Sequence, residues 1–191
     1  MLKKVLSFLA VLVLLGGGLW YYEANAGSGS SSRAVPVGSQ EGVGVGMLAP
    51  EFSLPGLQDG KEVSLHSLLA SGHPIYLNFW ASWCSSCQAE IPDIERIQAE
   101  YGNRVTIVGV DEFGTELPGK AGLDAVRKFV NRHGMNYQIV LDTNNQVGNE
   151  YLVQALPVSV FISPSGAIRQ YNLGAMNYSD LQTVIKLILN S

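Results

Sequence analysis

Along the chain, short apolar runs alternate with polar, glycine-rich segments, and the spacing inside each run names an element. Residues 76–80 (YLNFW) and 105–111 (VTIVGVD) are nearly continuous in hydrophobicity and rich in β-branched or aromatic side chains, the pattern of buried strands. Between them, residues 85–101 place Ile91, Ile94 and Ile97 at helical spacing, and Gly102 closes the run. Strand, helix and strand of this length make a βαβ unit, so the two strands should be parallel and the crossover right-handed. Residues 111–122 (DEFGTELPGKAG) read as a polar loop. The next run, 123–134, reads as a helix, with Asp124 early, basic residues late and Gly134 as the stop. A strand at 136–142 and a short helix at 144–153 follow. Residues 158–163 and 167–174 are two strands joined by Pro-Ser-Gly, which predicts a hairpin, and 178–190 is a closing helix. This order predicts a mixed α/β sheet with parallel and antiparallel pairs.

The first 46 residues follow none of these patterns. Lys3 and Lys4 precede an uncharged run from Val5 to Tyr22, which reads as an export signal. About 18 apolar residues just reach across a bilayer. Trp20, Tyr21 and Tyr22 stand where an interfacial aromatic belt would be, with the lysines on the cytoplasmic side. Ala24-Asn25-Ala26 resembles a signal-peptidase site, and Gly16-Gly17-Gly18 shortens the strongly apolar part. A retained anchor and a cleaved signal peptide therefore both fit, and both place the domain outside the cytoplasm. No cysteine lies near this segment, which excludes a lipoprotein anchor. The expected organisation is an anchor or signal at 1–23, a flexible Gly/Ser-rich linker at 24–46, and one domain at 47–191. That domain is long enough for a sizeable core.

Composition adds little except by exclusion. At 47% hydrophobic and 15% charged the chain is ordinary globular, and its net charge of −4 offers no basic patch for nucleic acid. The informative residues are its only two cysteines, Cys84 and Cys87, in NFWASWCSSCQAEIP. As a structural staple this pair closes almost no loop, so chain entropy credits it with only roughly 2 kcal/mol. Structural zinc wants four Cys or His ligands. Besides the pair there are His66, His73 and His133, of which the last fits a helix end and the other two fit surface loops. The redox reading suits the position better. Cys84 follows a buried strand at the mouth of a helix, where unpaired N–H groups and the helix dipole stabilise a thiolate. Cys87, one turn further in, is placed to attack a mixed disulfide formed on Cys84. A C-x-x-C at the strand-to-helix junction of a βαβ unit is a strong signal.

These residues resemble the thioredoxin superfamily. FWASWCSSC matches its active-site strand and turn, Pro92 falls where the family kinks its helix, and NLGAM before the last helix matches as well. ALPVSVFIS resembles the segment that carries the family's cis-proline, so the resemblance implies a cis Leu156-Pro157 bond with Pro157 facing the cysteine pair. Within the superfamily the chain is most similar to the membrane-tethered TlpA/ResA-like group. That likeness rests on the N-terminal segment, the opening APEFSLPGLQDGKEVSLHSL, an α/β insertion after the second strand, and LNFWASWC. The implied fold is thioredoxin-like α/β, a mixed central sheet flanked by helices, with an N-terminal extension and a central α/β insertion. The implied activity is extracytoplasmic thiol-disulfide exchange with exported proteins, as a reductant serving apocytochrome c in cytochrome c maturation.

The resemblance also assigns residues. ResA-like proteins carry a glutamate beside the disulfide at the position of Glu90, three residues after Cys87. A partly buried carboxyl with a raised pKa could take the proton of Cys87 as it attacks. Asn78 stands where many thioredoxins have a buried Asp. Trp80 is expected in the core. Trp83 is expected over the sulfurs and in the docking surface, and the Leu156 backbone is expected to pair with an extended substrate beside Pro157. The departures are Val158, where many members have Thr or Glu, and Ser85-Ser86, which is neither Gly-Pro nor Pro-His, so the redox potential stays open, and so does the natural partner, apocytochrome c or some other exported protein. A peroxiredoxin is disfavoured, because Ala81-Ser82-Trp83 replaces its T-x-x-C context. No cofactor and no metal are expected. The expected partners are exported protein thiols or disulfides, a membrane redox protein that recycles the pair, and the membrane itself through residues 5–22. The alternatives are a disulfide-forming oxidase on the same scaffold and a non-enzymatic copper-binding module.

Overall fold

The computed structural model describes residues 40–190. The expected anchor or signal segment and most of the expected linker lie outside the described residues. Among the described residues no helix is long and apolar enough to cross a membrane.

The elements run β1 (Ser53–Pro55), β2 (Glu62–Ser64), α1 (Leu65–Leu69), β3 (Ile75–Trp80), α2 (Ser85–Tyr101), β4 (Thr106–Asp111), a 3-10 turn (Phe113–Thr115), α3 (Lys120–His133), β5 (Gln138–Leu141), α4 (Gln146–Glu150), β6 (Val158–Ile162), β7 (Ile168–Leu173) and α5 (Tyr178–Leu189). The central sheet has the order β5-β4-β3-β6-β7. β3 pairs parallel with β4, and β4 with β5; β3 pairs antiparallel with β6, and β6 with β7. The predicted βαβ unit, the closing hairpin and the mixed sheet are all present. The expected insertion is α3, β5 and α4 between β4 and β6.

β3 is buried along all six residues, because both faces of the sheet are covered. On one face Tyr76 and Trp80 meet Ile91, Ile94 and Ile97 of α2, Val126 and Phe129 of α3, and Leu181, Ile185 and Ile188 of α5. On the other, Ile75, Leu77 and Phe79 meet Phe52 and Leu54 of the N-terminal extension, Leu65 and Leu68 of α1, and Val147 and Tyr151 around α4. Each large apolar side chain so buried contributes about 1.5–3 kcal/mol, which fixes the end of β3 from which the cysteines follow.

Three boundaries differ from the sequence reading. The folded part begins before residue 47: Gly42 N–H donates to Leu48 O (2.9 Å) and Gly46 N–H to Ile168 O (2.7 Å). With φ at +89°, Gly46 adopts a backbone open to glycine, and this lets the end of the expected linker dock on β7. Helix α3 starts at Lys120, earlier than the apolar spacing suggests: its first turn carries one apolar side chain, Leu123, packed on the core, and an exposed Lys120–Asp124 ion pair on the outer side. The loop expected to start at 111 starts later, since Asp111 ends β4, Asp111 and Glu112 are buried, and Glu112 N–H continues the ladder to Trp80 O (2.9 Å). In the N-terminal extension, β1 and β2 pair antiparallel. Just after β1, Leu57 N–H donates to Ile139 O (2.9 Å), covering the outer edge of β5.

Candidate active site

Strand β3 ends at Trp80, and the chain turns through Ala81-Ser82-Trp83 into α2. Cys84 is the N-cap of that helix, and its Sγ accepts from Cys87 N–H at 3.1 Å. A sulfur thus fills the capping place usually held by a hydroxyl or carboxylate, at the positive end of a 17-residue helix. Cys84 and Cys87 are disulfide-bonded, with Cα atoms 5.3 Å apart. Both are buried, Cys84 at 6% exposure and Cys87 at 1%. Pro92 lies inside the helix, where its missing N–H leaves one carbonyl of the preceding turn without its helical partner.

One turn after Cys87, Glu90 is 2% exposed. Its Oε1 accepts from Asn78 Nδ2 at 2.7 Å and its Oε2 from Met176 N–H at 3.1 Å. Burial pushes the Glu90 carboxyl up to about 7, against the opposing pull of those two hydrogen bonds. Asn78, at the position where many thioredoxins have an acid, therefore serves as the donor that fixes Glu90. The Leu156-Pro157 bond is cis. Leu156 packs against the core cluster to which both cysteines belong, and its carbonyl accepts from Ser86 Oγ at 3.3 Å. Trp80 is in the core, at 1% exposure, whereas Trp83 is 59% exposed and donates from Nε1 to Thr115 Oγ1 at 3.2 Å. Of the residues expected at the site, the two cysteines and Glu90 lie on the first turns of α2 and Leu156 meets Ser86 there, while Trp83 is exposed with its Nε1 on Thr115.

The family model described as AhpC/TSA matches residues 45–171. The chain belongs to that family. It is 29% identical over 187 residues to the thioredoxin-like protein YneN of Bacillus subtilis, covering 98% of this chain and 99% of that one. It is 34% identical over 142 residues to the thiol-disulfide oxidoreductase ResA of Oceanobacillus iheyensis, covering 72% and 69%. Among solved structures, it resembles a thiol:disulfide interchange protein of the thioredoxin family from Chlorobium tepidum. The TM-score there is 0.61 at 28% identity, over 74% of this chain and 95% of that one. The AhpC/TSA chain described here has the thioredoxin-like fold and is a thiol-disulfide oxidoreductase of the ResA type.

Several residues around the site escaped the sequence reading. Glu116 accepts from Ser82 N–H (2.6 Å) and from Ser82 Oγ (2.7 Å), holding the turn that leads into Cys84. Asp111 is fully buried at the end of β4, opposite Trp80, and neither carboxylate oxygen has a partner. Burial first, then the charges of Glu116 and Glu112, raises its carboxyl to about 9. Glu112 is raised to about 7 by burial and by Asp142. Its carboxylate packs so closely on Gly148 that a Cβ there would stand 2.3 Å from Oε1. The sequence signal for Asp111 was its place at the end of an apolar run, where a strand can carry an acid into the interior. Glu116 and Ser82 are 34 residues apart, and no periodicity links them. Among the described residues, no group of three or more His, Cys, Asp or Glu side chains could hold a metal ion.

Proposed function

We propose that this protein is an extracytoplasmic reductant, tethered to the membrane by residues 5–22, that reduces disulfides in exported proteins, apocytochrome c among them. The observation that carries the catalytic reading is the buried Glu90 carboxyl one turn from Cys87, held by Asn78 and Met176. Near pH 7 it is partly ionised and so able to accept a proton.

In the reduced enzyme the Cys84 thiolate, favoured at the helix N-terminus, attacks one sulfur of a substrate disulfide. The other substrate sulfur leaves as a thiolate and takes a proton from solvent. Cys87 then gives its proton to the Glu90 carboxylate and attacks Cys84 Sγ. The second substrate thiolate departs and takes the proton from Glu90. Two electrons have passed to the substrate, and the enzyme is left with the Cys84–Cys87 disulfide, which a membrane dithiol partner reduces again. Trp83 and the Leu156-Pro157 segment form the docking surface, where an extended substrate pairs with the Leu156 backbone.

The reductant direction is supported by likeness to the ResA group, and a redox titration of the cysteine pair tests it. A potential near that of thioredoxin, about −270 mV, supports a reductant; one near −120 mV, as in DsbA, transfers the reading to a disulfide-forming oxidase. The roles of the two thiols are tested by trapping. Cys87→Ser should accumulate a mixed disulfide through Cys84, and Cys84→Ser should not. Equal adducts from both variants would undo the ordering.

A further inference from the structure

The second residue between the cysteines has two acceptors and one proton. Ser86 Oγ lies 3.3 Å from Leu156 O, to which it donates, and 3.4 Å from Cys84 Sγ. A serine hydroxyl carries a single hydrogen and can serve only one of these groups at a time. In the disulfide, Cys84 Sγ is a neutral, weak acceptor, and the carbonyl holds the proton. Reduction changes the competition. A Cys84 thiolate is an ionised acceptor, and hydrogen bonds to ionised groups are roughly twice as strong as neutral ones. Cys87 N–H already points at that sulfur from the helix side, at 3.1 Å, so Ser86 would be its second donor.

Leu156 is where the two states differ for a substrate. Its N–H has no hydrogen-bond partner among the described residues, and its carbonyl has only Ser86. An extended chain laid along residue 156 needs both groups, the N–H as donor and the C=O as acceptor.

We propose that Ser86 is a redox-gated positioning residue: its hydroxyl covers the Leu156 carbonyl in the disulfide form and turns to the Cys84 thiolate in the reduced form, uncovering that carbonyl for substrate. The gate rests on the reading of Cys84 as the attacking thiol of a reductant, and it deepens that reading. It gives the enzyme a docking edge when it carries electrons and closes the edge once they have been delivered. The thiolate is lost as soon as Cys84 bonds to the substrate, so from the mixed disulfide onward the hydroxyl competes with the substrate for the Leu156 carbonyl, which favours product release. The same movement lowers the Cys84 pKa, since the thiolate gains a donor that the thiol does not need.

The test compares full-length wild type, Ser86→Ala and Ser86→Thr. Ser86 is exposed, so both variants keep the core intact. Alkylation of the reduced proteins by iodoacetamide, followed against pH, reads the thiolate. Ser86→Ala should raise the Cys84 midpoint by roughly half a pH unit to one unit, as expected for one lost hydrogen bond, and Ser86→Thr should restore it. Glu90 and Glu116 are present in all three proteins, so their charges cancel in the comparison. The 13C resonance of the Leu156 carbonyl reads the other end of the gate. In wild type and Ser86→Thr it should move on reduction, to the position that Ser86→Ala already shows as the disulfide. An unchanged midpoint in Ser86→Ala overturns the gate, and so does a Leu156 carbonyl that responds equally to reduction with and without the hydroxyl. Reduction of insulin disulfides by the wild type is assayed in parallel. Failure there sinks the reductant reading alone, because the other two measurements need no substrate.

Discussion

Replacing Glu90 by Gln removes an ionisation while keeping the shape of the side chain. The glutamine carbonyl can accept from Met176 N–H, and its NH2 can donate to the Asn78 carbonyl once that amide turns over, so no donor is left facing a donor. The magnitude follows from the carboxyl itself. Burial moves it from an ordinary value of 4.5 to about 7, which at ~1.4 kcal/mol per tenfold amounts to about 3 kcal/mol. The sign is set by which state holds the proton. Between pH 4.5 and 7 folded Glu90 is protonated and unfolded Glu90 is not, so wild-type stability is greatest below that window and falls as pH rises through it. Glu90→Gln lacks this loss. Asp111 and Glu112, also raised, slope the same way, but they do so in both proteins and drop out of the difference.

Urea unfolding of the disulfide-bonded proteins, at half-unit steps from pH 4.5 to 8, measures this directly without thiol titration. The stability of the variant minus that of wild type should climb by about 3 kcal/mol between pH 4.5 and 7 and then level off. A difference that stays flat across the window would mean that Glu90 is solvated or already ionised, and that it is not poised near pH 7 to accept the proton of Cys87. Single-turnover kinetics supply the catalytic half. Resolution of the mixed disulfide by Cys87 should slow by about a hundredfold at pH 7 and should lose the pH dependence centred on Glu90. A variant that gains stability as expected yet resolves at the wild-type rate would make Glu90 a structural acid only.

Two further substitutions test the buried acids outside the cysteine pair. Asp111→Asn replaces a carboxyl that is neutral when folded and ionised when unfolded at pH 7, so the protein should become more stable there, by several kcal/mol at the upper limit. A thermal melt that shows a loss would mean that an ionised Asp111 has a partner. Gly148→Ala sets a Cβ 2.3 Å from Glu112 Oε1 and should cost roughly 1–3 kcal/mol in urea unfolding, a cost that Glu112→Ala should relieve.

The central strand and the cysteine helix were legible because their signals are local: a six-residue apolar run and a repeat of isoleucines need no knowledge of the rest of the chain. Glu90 was legible through family likeness and spacing, since three residues on a helix fix one turn. What was missed is non-local. Ser82 and Glu116, or Leu57 and Ile139, meet only because the sheet brings them together, and β1 and β2 are three residues each, too short to show alternation. The early boundary of the folded part was missed for another reason. A glycine-rich stretch reads as linker whether it is free or docked, because docking here uses backbone hydrogen bonds that leave no trace in side-chain pattern.

The positions of the acids explain why one of them is suited to the reaction and the others are not. Asp111 is paired with Trp80 in the sheet and is close enough to Glu116 to feel its charge, yet its carboxyl is raised to about 9. At neutral pH it already holds its proton and has nothing to offer Cys87 as a base. Glu112 titrates at about 7, in the useful range, but it packs against Gly148 of α4 while the cysteines belong to the core cluster of α2. Of these three acids only Glu90 combines both conditions: it is on the helix of Cys87, one turn on, and burial stops near 7 because Asn78 and Met176 each donate to it. Asn78 is thereby a tuning residue. Asn78→Ala should remove the donor and let burial push Glu90 higher, so the pH dependence of resolution should shift to higher pH while the pair itself stays intact. If resolution in Asn78→Ala keeps the wild-type pH midpoint, the Asn78–Glu90 hydrogen bond does not set the proton acceptor, and burial and donors are not in balance at Glu90.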